Sequence, residues 1–172
     1  LNEDETWVYP VSAAGMEYRS MKDLIREAGP SEMEMLDYIS KKAPGDVMGA
    51  APVDEIRVVS PIAEPDQDII CLGINYMDHA EESARFEKRA FEKPEKAIYF
   101  SKRVNRTNDP DGIIPAHKNL TNQLDYEAEL AVIIKKDAKD VKPGEVKDYI
   151  FGYTNMNDVS AREVQTEHKQ WY

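Results

Sequence analysis

The sequence predicts an α+β fold: a small leading module, residues 1–62, followed by a strand-rich larger domain, residues 63–172. Three observations carry this reading. Two helical segments with start signals stand ahead of Pro44-Gly45. A stretch with prolines at 61 and 65 (residues 60–67) reads as a hinge or linker. Beyond it, apolar or alternating runs recur at strand length.

In the leading module, residues 6–11 suit a strand. Ser20 is placed to cap a helix that opens on Met21-Lys22-Asp23, its acidic first turn favoured by the helix dipole, and the helix should stop near Gly29-Pro30. Ser31 and Glu34 have the spacing of a capping box, with Met35, Leu36 and Ile39 giving the next turns an apolar face. Pro44-Gly45 breaks that helix, and residues 56–59 suit a short strand.

The larger domain should begin with a buried strand at residues 68–74. A helical segment rich in Glu, Ala, Arg and Lys follows over about residues 75–91, then a strand over 97–102. Residues 103–122 form a long connection around Asn108-Asp109-Pro110-Asp111-Gly112, and connections of that length are often functional. Residues 124–134 alternate. Tyr126, Ala128, Leu130, Val132 and Ile134 share one face, and Asp125, Glu127, Glu129, Ala131 and Ile133 share the other. Residues 150–157 read as a strand running into Asp158, and Ser160 with Glu163 suits a second capping box.

Composition narrows the function. The formal net charge is -11, from 33 acidic and 22 basic residues. Nucleic-acid binding needs a clustered basic surface, so that class is set aside. The one cysteine, Cys71, can form no intrachain disulfide and sits in an apolar run, where an inert thiol is expected. No apolar stretch is long enough for a membrane helix, and residues 1–5 lack a secretory pattern, so the expected location is the cytoplasm. The chain opens on Leu1 and closes on Gln170-Trp171-Tyr172 inside a helical pattern, so further residues are expected after Tyr172.

Glu127 and Glu129 lie two apart on a strand, so their backbones stand about 7 Å apart with the side chains on one face. The opposite face is apolar, and their own face turns apolar at Ala131 and Ile133, which predicts burial on both sides toward the strand's end. Like charges there need a counter-charge. With Asp158 they form an all-oxygen donor set, suited to Mg²⁺, Mn²⁺ or Ca²⁺ rather than zinc. The alternative is an edge strand whose acidic face meets water.

Three motifs in order resemble the fumarylacetoacetate hydrolase family. Gly73-Ile74-Asn75-Tyr76-Met77-Asp78-His79 is similar to the segment opening its catalytic domain. Leu124-Asp125-Tyr126-Glu127-Ala128-Glu129-Leu130-Ala131-Val132 is similar to its glutamate strand, and Gly152-Tyr153-Thr154-Asn155-Met156-Asn157-Asp158-Val159-Ser160-Ala161-Arg162 to its aspartate motif. The resemblance covers residues 60–172 and implies a mixed β-roll that forms a homodimer. It implies Glu127, Glu129 and Asp158 as metal ligands, with Arg162 and Gln165 facing the substrate. It also implies that His79, oriented by Glu82 in Tyr76-x-x-His79-x-x-Glu82, acts as general base in a lid. Lys102 could approach this site, although a solvated strand end is the expected role. His117 and His168 are expected at the surface. The family's catalytic lysine lies after the aspartate-motif helix; Lys169 is too close to Asp158 to be that residue. Glu163 stands where aspartate is more usual.

The substrate so implied is a small 2-oxo acid or related diacid. Hydrolysis or decarboxylation at a C–C bond is the leading expectation, because the His-Glu pair is present. Isomerisation of a hydroxymuconate-type diacid is the alternative, and an inactive metal-binding homologue a third reading.

Overall fold

A computed structural model describes residues 1–76 and 96–168. The structure is α+β and divides into two compact units. The first comprises residues 1–62, 109–111 and 130–155; the second comprises 63–108, 112–129 and 156–172.

In the first unit, β1 (Trp7–Val8) pairs antiparallel with β2 (Ala51–Pro52). β1 is shorter than the expected strand because the chain turns at Pro10 into a 3₁₀ turn, Val11–Ala14. Helix α1 (Met21–Glu27) begins as its sequence requires, the Ser20 hydroxyl accepting the Asp23 N–H at 3.2 Å. Helix α2 (Pro30–Ser40) starts earlier than the Ser31–Glu34 box predicts. Pro30 supplies the preset φ of a first helical residue, and the Glu32 carboxylate, not that of Glu34, reaches back to the Gly29 N–H at 3.1 Å. Of its expected apolar face, Leu36 and Ile39 are half-buried, while Met35 is exposed. Residues 57–60 are irregular rather than a strand. There the Ser60 N–H and the Arg57 guanidinium both bind the Asp109 carboxylate, at 3.0 Å each, so side-chain bonding replaces a ladder. Among the described residues the buried apolar side chains, Leu24, Ile25 and Val47, all belong to this unit.

In the second unit, β3 (Ile69–Gly73) pairs antiparallel with β4 (Ile98–Lys102), bringing Ile69 opposite Lys102. β3 was expected to be buried on both sides; instead Ile70 and Leu72 are exposed, as is Tyr99 beside Leu72. The helix expected over residues 75–91 falls almost wholly outside the described residues. Residues 103–122 form the expected irregular connection.

The acidic strand differs most from expectation. It is two pieces, β5 (Leu124–Asp125) and β6 (Ala128–Ile134), broken at Tyr126-Glu127. β5 pairs antiparallel with β8 (Ser160–Ala161), whereas β6 pairs with β7 (Ile150–Asn157). The break falls where the partner changes. Burial on both faces is also corrected. Leu130, Val132 and Ile134 are exposed, while Glu129, Ala131 and Ile133 are half-buried. Helix α3 (Arg162–His168) closes the described chain.

Candidate active site

Among the described residues of the second unit, the buried ones, Thr121, Asp158 and Ser160, are all polar. Buried polar side chains call for partners, and tracing these leads to one network. Asp158 follows β7 directly. Its N–H donates to the Glu127 carbonyl at 2.9 Å, and the Glu127 N–H donates to the Asn157 side chain at 3.3 Å. The strand break is thereby stitched to the end of β7, setting Glu127 and Asp158 side by side along the backbone.

The two carboxylates have different cationic partners. The Lys102 ammonium, at the end of β4, pairs with Asp158 Oδ1 and donates to the Val159 carbonyl at 3.2 Å. Lys102 is therefore no solvated strand end; its side chain is 17% exposed and Asp158 is 5% exposed. Glu127 Oε1 pairs with Arg162, whose guanidinium is the hub of the site. Nη2 donates to Glu127, Nε to Asp125 at 3.0 Å, and Nη1 to Gln165 Oε1 at 3.1 Å. Such a planar fork can hold three acceptors in fixed directions. Burial pulls down on the Arg162 pKa, but the bonds and charges of Glu127 and Asp125 more than offset this and hold it above its ordinary value.

Arg162 and Gln165 are thus brought together as their i, i+3 spacing on α3 predicts. Asp125 is the residue sequence reasoning passed over. It shares the acidic alternation with Glu127 and Glu129, which is the signal that could have found it.

Ser160 and Glu163 do not form the expected capping box. Ser160 lies in β8 opposite Asp125, with its hydroxyl buried and without a hydrogen-bond partner among the described residues. The Glu163 carboxylate instead accepts the Thr121 hydroxyl at 2.7 Å and the Asn122 N–H at 2.8 Å. These bonds hold its pKa below the usual carboxylate value. They also fix the loop entering β5, where the Arg162 N–H reaches the Gln123 carbonyl at 2.9 Å.

Glu129 is half-buried near the same network. The Cys71 thiol senses the group: burial raises its pKa, Asp158 and Glu129 raise it further, and Lys102 opposes them. Among the described residues, no three Asp, Glu, His or Cys side chains converge as a ready ligand set. In donor chemistry alone, not in placement, the three carboxylates match a hard cation. They offer only oxygen, and Asp158 is a buried carboxylate that already requires a positive partner. His79 and Glu82 lie outside the described residues. His117 and His168 are exposed. Beside Gln165 a groove of about 360 Å³ is walled by Ile114, Leu124, Val159 and Val164.

The chain as a whole is similar to known proteins. The chain is 37% identical over 133 residues to the oxaloacetate tautomerase YisK of Bacillus subtilis, covering 76% of this chain and 43% of that protein. The fumarylacetoacetate hydrolase of psychrophilic Exiguobacterium antarcticum superposes with a TM-score of 0.62 at 29% identity, over 95% of this chain and 52% of that one. A 5-carboxymethyl-2-hydroxymuconate delta-isomerase from Mycobacterium smegmatis gives 0.50 at 31% identity, over 71% and 45%. The chain therefore spans about half the length of these relatives. Residues 68–172 match the family profile described as Fumarylacetoacetate (FAA) hydrolase C-terminal, and the chain belongs to the fumarylacetoacetate hydrolase family.

Proposed function

We propose that this chain supplies the acidic and substrate-holding residues of an enzyme that enolises a small 2-oxo acid, moving a proton beside the keto group. The observation that carries this reading is the Arg162 hub. One guanidinium, fixed by Asp125, Glu127 and Gln165, stands in a network with a buried carboxylate. Glu127, Glu129 and Asp158 would hold a divalent cation (Mg²⁺, Mn²⁺ or Ca²⁺), which when bound supplies electrophilic stabilisation of an enolate.

The chain's own residues do the rest. Arg162 is a donor fork whose direction is set before substrate arrives, so it stabilises negative charge without reorganising. Gln165 turns its amide oxygen to Arg162, which directs its amide nitrogen, a donor, away from that bond. The apolar groove beside Gln165 gives the substrate's far end a wall that excludes water. Enolisation is favoured over other chemistry by the tautomerase and isomerase among the relatives. Cleavage or decarboxylation at a C–C bond is the second reading, favoured by the His79–Glu82 spacing in the sequence.

The test is a Mn²⁺ titration followed by thermal unfolding, then an assay on oxaloacetate and acylpyruvates. A ligand bound only by the folded state stabilises it by about 2.7 kcal/mol at a hundredfold excess over Kd. Asp158→Ala should abolish the metal-dependent shift; a variant that responds like the wild type sinks the ligand assignment. His79→Ala should stop C–C cleavage while sparing tautomerisation if enolisation is the core activity.

A further inference from the structure

We propose that the groove beside Gln165 selects a 2-oxo acid whose far end is apolar and uncharged, and turns away a diacid. The proposal rests on reading Arg162 as the holder of the substrate's acid end, and it adds the chemistry of the other end. It requires no bound ion.

The groove and the hub share one side chain. Gln165 lines the groove and accepts an Arg162 Nη1–H at 3.1 Å, so a ligand whose acid end meets the guanidinium has the groove within reach of its remainder. A guanidinium carries five N–H donors. Among the described residues, the bonds to Asp125, Glu127 and Gln165 use three of them, and the Arg162 side chain is 29% exposed. Donors therefore remain for a carboxylate.

One wall of the groove comes from α3, through Val164 and Gln165, and another from the connection before β5, through Ile114 and His117. Glu163 bolts the two together. Its carboxylate accepts the Thr121 hydroxyl and the Asn122 N–H, and the Thr121 N–H donates to the His117 carbonyl at 3.1 Å. The groove is thus shaped before a ligand arrives, which spares the cost of ordering it on binding.

Its lining is apolar with few polar atoms, and none of these can match a charge. Ile114 and Leu124 are exposed, apolar surface that an apolar occupant would cover. Ser160 has its hydroxyl buried and without a hydrogen-bond partner among the described residues. Like Gln165 it is polar but uncharged, and neither balances a carboxylate taken out of water. Among the described residues no lysine or arginine lines the groove, and His117 is its one titratable side chain. Histidine is ordinarily neutral well above neutral pH. A far-end alkyl group therefore gains contact in the groove, whereas a far-end carboxylate loses water and finds no cation.

The experiment is isothermal titration calorimetry of the chain at about pH 8 in Mg²⁺ buffer, so that the outcome does not turn on metal or on histidine charge. The ligands are 5-methyl-2-oxohexanoate and 2-oxoglutarate, which share the 2-oxo acid end and carry an isopropyl group or a carboxylate of like shape at the other. Wild type should bind the first more tightly, by about tenfold. Ile114→Lys and Val164→Lys each bring an ammonium to the lining and should lower that ratio. Arg162→Met should weaken both acids alike. Equal binding, or tighter binding of 2-oxoglutarate, by wild type overturns the selectivity and leaves the Arg162 reading standing. A wild-type ratio kept in both lysine variants puts the far end elsewhere and also overturns it; should Val164→Lys fail to fold, the exposed position Ile114 decides alone. No binding of either acid by wild type, or full binding of both by Arg162→Met, removes the Arg162 reading and this proposal together.

Discussion

Replacing Arg162 by lysine tests the hub directly. The ammonium keeps the positive charge but loses the fork, so of the three acceptors around the guanidinium it can serve one well. Bonds to charged groups contribute about 1.5–3 kcal/mol each when shielded. Here the shielding is uneven, for the Glu127 side chain is 20% exposed and that of Asp125 is 48% exposed. The Asp125 bond is therefore screened to at most about 1 kcal/mol. A lysine that retains Glu127 forfeits the Asp125 and Gln165 bonds, a loss of about 1–2 kcal/mol. Arg162→Met also strips Glu127 of its cation and should lose about 2–3 kcal/mol. Urea unfolding at neutral pH with unchanged m-values reads both numbers. Under the proposed function, Arg162→Lys should also lower kcat/KM about 10²- to 10³-fold, the range for losing an aligned donor to developing negative charge. Equal stability of the lysine and methionine variants would refute the hub, because the charge would then contribute nothing.

Two further outcomes follow from the surrounding contacts. The Glu163 pKa is depressed in the folded state, so its contribution is fully present above the unfolded value of about 4.3 and is lost as pH falls through the lower folded value. Stability of wild type and Glu163→Gln should converge as pH drops from about 6 to about 3, and a constant gap in a pH series of denaturation curves would contradict the latch. The Cys71 thiol is held high by burial, Asp158 and Glu129, so alkylation at pH 7.5 should run slower than for an exposed free thiol. Asp158→Asn should accelerate it, and no change would mean that the carboxylate does not act on the sulfur.

How much of this was legible in the sequence depends on the range of the interactions involved. The α1 cap at Ser20, the strand running from Ile150 into Asp158, and the adjacency of Arg162 and Gln165 are set by residues a few positions apart, and each was readable. Local rules failed where a distant partner competed. Glu163 had the spacing to serve Ser160 but is taken by Thr121 and Asn122, 42 and 41 residues upstream.

The sequence by itself determined the family, the α+β class and the order of the motifs, because these depend on residue identity and spacing. Alternation over residues 124–134 likewise grouped the side chains by face. Tertiary structure alone decided that Glu129, not Leu130, turns inward, and that the strand breaks at Glu127 to serve β8 and β7 in turn. It also decided which basic side chain neutralises which carboxylate: Lys102 for Asp158 and Arg162 for Glu127. Periodicity places a side chain on one face of a strand, but the charge it meets there comes from elements far away in the chain, and only folding brings them together.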